Sequence, residues 1–141
     1  MKTKILITFC IILGISMNSY SQSIKVKVQN IKNRQGIVHV ALCNSAQEFM
    51  TEKYKELTGR VSANGDVLVD FTKIPKGIYA IRVYQDNDHS GDLTTNIIGI
   101  PEEPFGFSNN PRIRTGPPSF EVASFDFKDD INLTINLLSV L

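Results

Sequence analysis

The chain has 141 residues, one domain's worth on the usual range of roughly 100–200 residues per domain. With 42% hydrophobic and 21% charged residues, nine glycines and six prolines, its composition is ordinary for a globular protein and excludes the disordered, collagenous and disulfide-scaffold classes. Fifteen Lys and Arg against fourteen Asp and Glu leave a formal charge of +1, so no field of one sign points to nucleic acid or an acidic membrane.

The first 21 residues read as a signal peptide. Lys2 and Lys4 supply a positive start, Ile5 to Ile15 an apolar run of eleven residues, and Asn18-Ser19-Tyr20-Ser21 the small residues of a cut before Gln22. The run is shorter than the roughly 20 residues a bilayer span needs. A periplasmic or secreted location is therefore expected, with a single domain over 22–141 and no membrane span after cleavage. Cys10 lies inside the run, badly placed for a lipid-modified cysteine. Its loss leaves Cys43 alone, which forbids an internal disulfide.

Ser23 to Gln29 alternates Ile24, Val26 and Val28 with Lys25, Lys27 and Gln29, the period of a half-buried strand. A turn-rich stretch, Asn30 to Gly36, leads to the apolar run Ile37 to Leu42, and the two runs are expected to pair as a hairpin. Cys43 ends that run as a buried side chain rather than a nucleophile, because nothing nearby lowers its pKa. Ser45-Ala46-Gln47-Glu48 fits a capping box that opens one short helix to about Leu57. Asn64-Gly65 is a strong hairpin signal between Arg60–Ala63 and Asp66–Phe71, with Val67, Val69 and Phe71 facing inward. Ile78 to Tyr84 reads as a central strand, and Ile131, Leu133, Ile135 and Leu137 mark a last one. Short strands with turns between them indicate a sandwich or barrel.

One long connection, Gln85 to Ser119, breaks this rhythm. It holds the short apolar run Ile97-Ile98-Gly99-Ile100 and five of the six prolines, and Phe105 and Phe107 within it require burial. Connections beyond about 12–15 residues without structure of their own are usually functional or disordered. Asp86-Asn87-Asp88-His89-Ser90-Gly91-Asp92 sets oxygen-bearing side chains at relative positions 1, 3 and 5 and glycine at 6, as in the first half of an EF-hand loop. Alternate spacing lets a curling backbone aim oxygens at one point, so Asp86, Asp88, Ser90 and Asp92 form a candidate calcium site. The second half departs from the pattern, with Thr94 at position 9 and Ile97 at position 12, where a bidentate acid belongs. Glu102 and Glu103 are candidates to fold back and supply the missing carboxylate, but nothing in the spacing requires it. The same residue types also build a plain solvated turn. Asp86→Ala is expected to abolish any calcium response and leave the calcium-free melt unchanged or slightly raised, since one of three crowded charges is removed.

Gly77-Ile78-Tyr79-Ala80, the acidic run through Leu93, and Gly99-Ile100-Pro101-Glu102-Glu103-Pro104-Phe105-Gly106-Phe107-Ser108-Asn109-Asn110 together resemble the bacterial secreted domain-of-unknown-function family 2141. The resemblance covers nearly the whole chain after residue 21. It implies a secreted or periplasmic immunoglobulin/transthyretin-like antiparallel β-sandwich with no assigned activity, while the residue pattern independently gives about seven strands. An aspartate common in that family's acidic loop is Thr94 here.

Catalytic constellations are thin. Asp88-His89-Ser90 holds triad residue types, but sequence neighbours do not form a relay from acid to His to nucleophile. His39 sits within a strand, and Arg112 and Arg114 fit an exposed strand face. The expected function is a non-catalytic binding or interaction module of the cell envelope, whose partner is a protein or small-molecule ligand and not nucleic acid. The rival reading is a small envelope hydrolase using carboxylates of the 86–110 connection.

Overall fold

A computed structural model describes residues 22–139; the expected signal peptide over 1–21 lies outside the described residues. In chain order the elements are β1 (Ser23–Gln29), β2 (Ile37–Cys43), α1 (Glu48–Thr51), β3 (Lys55–Gly59), β4 (Val67–Thr72), β5 (Gly77–Asp86), β6 (Phe105–Phe107), α2 (Phe120–Ala123), β7 (Phe125–Phe127) and β8 (Ile131–Asn136). They build two sheets, β4-β1-β8 and β3-β2-β5-β6, with β7 pairing the start of β5. The sheets face each other as a sandwich and do not close into a barrel. All pairings are antiparallel except β1 with β8. Among the described residues no helix is long and apolar enough to cross a membrane.

The expected hairpin between β1 and β2 does not form. β1 pairs β4 and β8, whereas β2 pairs β3 and β5 in the other sheet. The difference follows from their faces. β1 has one apolar face and fits a sheet whose outer side carries Lys25 and Lys27. β2 buries residues on both faces, including Val38, Val40, Ala41, Leu42 and Cys43, and needs a sheet covered on both sides. The chain changes sheets through 30–36, with Asn30 and Gly36 in the left-handed region at φ 63° and 71°.

The Asn64-Gly65 turn forms, but its arms diverge. Gly65 N–H donates to Ser62 O at 3.0 Å and Ser62 N–H to Asp66 O at 2.9 Å, while β3 and β4 enter different sheets and 60–63 is not a strand. Val67 and Phe71 are buried as expected, and Val69 is half-buried. The expected helix to Leu57 is a single turn. Glu48 N–H donates to Ser45 Oγ at 3.3 Å, but Lys55–Gly59 extends as β3 because Leu57, opposite Val40, packs on the core between the sheets. A second one-turn helix, α2, has no counterpart in the sequence-based expectation.

Two apolar clusters hold the domain. The larger lies between the sheets and includes Ile24, Val40, Phe71, Ile81, Phe127 and Ile135. The smaller covers the outer face of the second sheet, where Cys43, Phe49, Ala80, Phe105, Phe107 and Ala123 meet. Each fully buried aliphatic or Phe side chain contributes roughly 1.5–3 kcal/mol, so the two phenylalanines of β6 anchor the long connection against β5.

Candidate functional site

The site grows from the end of β5. Side chains alternate along a strand; Tyr79, Ile81 and Val83 enter the core between the sheets, which places Asp86 with Ala80 and Tyr84 on the outer face. The chain then turns back, with His89 and Gly91 at φ 59° and 84°. Buried Asp86 accepts Ser90 N–H on Oδ1 and Gly91 N–H on Oδ2, both at 3.0 Å. Asp88, exposed, accepts Ser90 N–H on Oδ1 at 3.0 Å and the Thr94 hydroxyl on Oδ2 at 2.9 Å. The Ser90 side chain first, then the Thr94 hydroxyl and the Ser90 N–H, hold the Asp88 carboxyl below its usual range.

The third carboxylate is Glu103. It is buried, and its Oε1 accepts Asn87 N–H at 2.7 Å while Oε2 accepts Thr94 N–H at 3.0 Å. The side chain therefore clamps the two limbs of the acidic loop together. Oxygens of Asp86, Asp88 and Glu103 all lie within 4.8 Å of one another. Of the residues expected to ligate, Asp86 and Asp88 converge. Ser90 sits beneath them, its N–H given to both carboxylates and its hydroxyl turned to Asp92 O at 2.8 Å. Asp92 instead lines a neighbouring hollow of about 100 Å³ with Met50, Arg82, Leu93 and Phe105. In sequence Glu102 and Glu103 are equivalent candidates; only Glu103 turns inward, and Glu102 is exposed. Ile97, at position 12 of the loop pattern, stands fully exposed.

His39 of β2 adjoins the cluster. Its Nε2 lies 3.6 Å from Asp86 Oδ2 and its Nδ1 3.3 Å from Glu56 Oε1, and its ring stacks on Tyr84 at 4.7 Å. Burial pushes the Glu56 carboxyl up, but hydrogen bonds from Lys53 and His39 outweigh it and hold the group below its usual range. The Tyr84 hydroxyl donates to Gly91 O at 2.6 Å. Burial, reinforced by the negative charges of Glu56, Asp86, Asp92 and Glu103, pushes its phenol up to about 12. A raised phenol favours the neutral folded form, so its contribution is complete below the ordinary value of about 10 and is lost as pH rises towards about 12. Tyr84→Phe is expected to remove the last phase of the phenolate absorbance titration; an unchanged last phase would contradict this environment.

Cys43 is buried, with its thiol pushed up by burial and donating to Glu52 O at 3.7 Å. It is a packing residue. The Ser108-Asn109-Asn110 run is structural too. Ser108 Oγ accepts Ile81 N–H at 2.8 Å and donates to Ala123 O. The Asn109 side-chain amide donates to Val122 O and Ser124 O. Asn110 completes the edge of β8, donating to Thr134 O and accepting Asn136 N–H, both at 2.8 Å. Three consecutive polar side chains thus tie α2, β5 and β8 together.

Fold and site define a β-sandwich protein whose outer connection carries a partly buried cluster of three carboxylates. The chain belongs to the family described as uncharacterized protein conserved in bacteria (DUF2141), whose family model matches residues 26–136. Among curated proteins and among solved structures, nothing matches.

Proposed function

We propose that this protein is an exported, non-catalytic binding module of the cell envelope whose acidic loop takes a calcium ion between Asp86, Asp88 and Glu103. The observation that carries the cation site is the convergence of three carboxylates within 4.8 Å, two of them buried. A hard divalent cation prefers oxygen ligands. Each carboxylate oxygen here accepts one hydrogen bond from the loop and keeps a lone pair for a metal. The charged start and apolar run of the first 21 residues support export.

The test is thermal melting in millimolar calcium and in chelator. Ligand binding to the native state alone stabilises by about 1.4 kcal/mol at a tenfold excess over Kd, and an extracellular-type site has Kd on the order of 10⁻⁴ to 10⁻³ M. Tm is expected to rise by several degrees with calcium. Asp88→Asn is the informative variant, because it removes charge, keeps an oxygen for Ser90 N–H and lies at the exposed rim. It is expected to abolish the shift with little change in chelator. Asp86→Ala is less suitable, because it removes the acceptor of the Gly91 N–H and one of the two acceptors of the Ser90 N–H, so the calcium-free melt is expected to fall rather than stay neutral. A Tm indifferent to both calcium and chelator would leave the loop as a hydrogen-bonded clamp and overturn the cation site.

A further inference from the structure

The outer face of the second sheet carries a hollow whose floor is set by strand register. Glu56, Ala41, Arg82 and Phe107 lie side by side on β3, β2, β5 and β6. Alanine is the smallest of the four, and the gap above it measures about 100 Å³. Along β5 the hollow has two ends. At Arg82 it meets the segment that follows α1, where one guanidinium N–H is given to Met50 O at 3.2 Å and another to Glu52 O at 3.0 Å. At Tyr84 it meets the acidic loop, held by the bond from the Tyr84 hydroxyl to Gly91 O and lined there by Asp92 and Leu93.

The charges around the hollow leave one cation and one anion over. Lys53 Nζ and Glu56 Oε2 pair at 2.9 Å. Arg82 is half-buried, bonds only neutral carbonyl oxygens, makes no ion pair among the described residues, and has a buried Nε without a hydrogen-bond partner. Its terminal nitrogens each keep a further N–H, and a guanidinium taken out of water binds a carboxylate better than any other small partner. Asp92 is bonded to Ser90 through its backbone, so its carboxylate has no partner among the described residues. The rings of Tyr84 and Phe105 line the hollow as well, and aromatic rings attract an ammonium group. A ligand that answers both ends carries a carboxylate and an ammonium group together. Room for roughly three waters, at about 30 Å³ each, holds such a head group and leaves its side chain outside. Met50, 45% exposed, and half-buried Leu93 offer that side chain an apolar rim.

We infer that this hollow binds a free α-amino acid with an apolar side chain, its carboxylate on Arg82 and its ammonium group towards Asp92. The inference rests on the reading of the protein as a binding module and not on its cation site; titration in chelator keeps a negative calcium melt and a negative amino-acid titration separate results. Isothermal titration of the purified protein is expected to give saturable heat with millimolar L-leucine. Leucinamide, which lacks the carboxylate, and isocaproate, which lacks the ammonium group, are each expected to bind about tenfold more weakly, the worth of one charge-assisted hydrogen bond. Asp92→Asn, at an exposed position, is expected to leave Tm unchanged, weaken L-leucine about tenfold and erase its advantage over isocaproate. Ala41→Val fills the gap without altering charge and is expected to abolish binding. Absence of saturable heat with L-leucine overturns the inference. So do three ligands that bind alike, which would reduce the hollow to an unselective apolar contact, and so does L-leucine binding undiminished in Asp92→Asn or in folded Ala41→Val.

Discussion

Glu103→Ala is expected to lower the stability of the domain by about 3–5 kcal/mol, a fall of roughly 10–20 °C in Tm. The side chain is buried and each of its oxygens accepts a backbone N–H, from Asn87 and from Thr94, across the neck of the acidic loop. Alanine leaves both half-buried donors without these partners, and unsatisfied groups of this kind cost up to about 1–3 kcal/mol each, more where the lost acceptor is charged. Removing the clamp also releases the chain at Thr94. Amide hydrogen exchange gives the local readout: the Asn87 and Thr94 amides are expected to lose protection while those of β1 and β8 keep theirs. Glu103→Gln retains one acceptor and is expected to cost less. A Glu103→Ala protein that melts with the unmutated one would remove Glu103 from this role.

The second large effect is expected at Gly36, which precedes β2 and packs beneath the start of the acidic loop. A Cβ at this position would overlap the Asp86 carbonyl oxygen, with Asn87 Cα close behind, and the φ of 71° disfavours any side chain. Because the obstacle is backbone on both sides, it cannot move aside as a flexible side chain would. Gly36→Ala is expected to destabilise by roughly 2–4 kcal/mol, combining left-handed strain with displacement of Asp86. Gly65 is the control. It has a φ of 85° and nothing within 4 Å of the place a methyl group would take, so Gly65→Ala carries the strain alone and is expected to cost about 1 kcal/mol. Urea unfolding of the two variants checks both figures, and equal costs would show that the Asp86 contact contributes nothing.

Much of the local structure is legible in the residues themselves. β1 occupies Ser23–Gln29, where the alternation ends on both sides, and β5 extends the expected central strand to Gly77–Asp86. Phe105 and Phe107 are buried, as two phenylalanines so close together require. Period-two alternation is a property of the chain alone, and a strand half-buried in any sheet shows it. The acidic loop is visible for a similar reason: Asp86 and Asp88 are two residues apart, and a tight turn with Gly91 brings them together by local geometry.

Local runs of residues thus suffice for the all-β class, the strands with one apolar face, the family resemblance, and a loop in which two carboxylates meet. Which strands pair is settled only in the folded chain. The Asn64-Gly65 signal specifies a reversal but not the sheet of either arm, and β1 and β2 separate because only one of the two sheets is covered on both faces. The third carboxylate is settled there too. Glu102 and Glu103 are adjacent and chemically alike, and the choice between them is made by the Thr95–Pro101 bridge and by β6 packing on β5, which turn Glu103 towards the Asn87 and Thr94 amides and leave Glu102 in water. Contacts between residues far apart in sequence depend on which surfaces the whole chain buries together, and that information is not local to any run of residues.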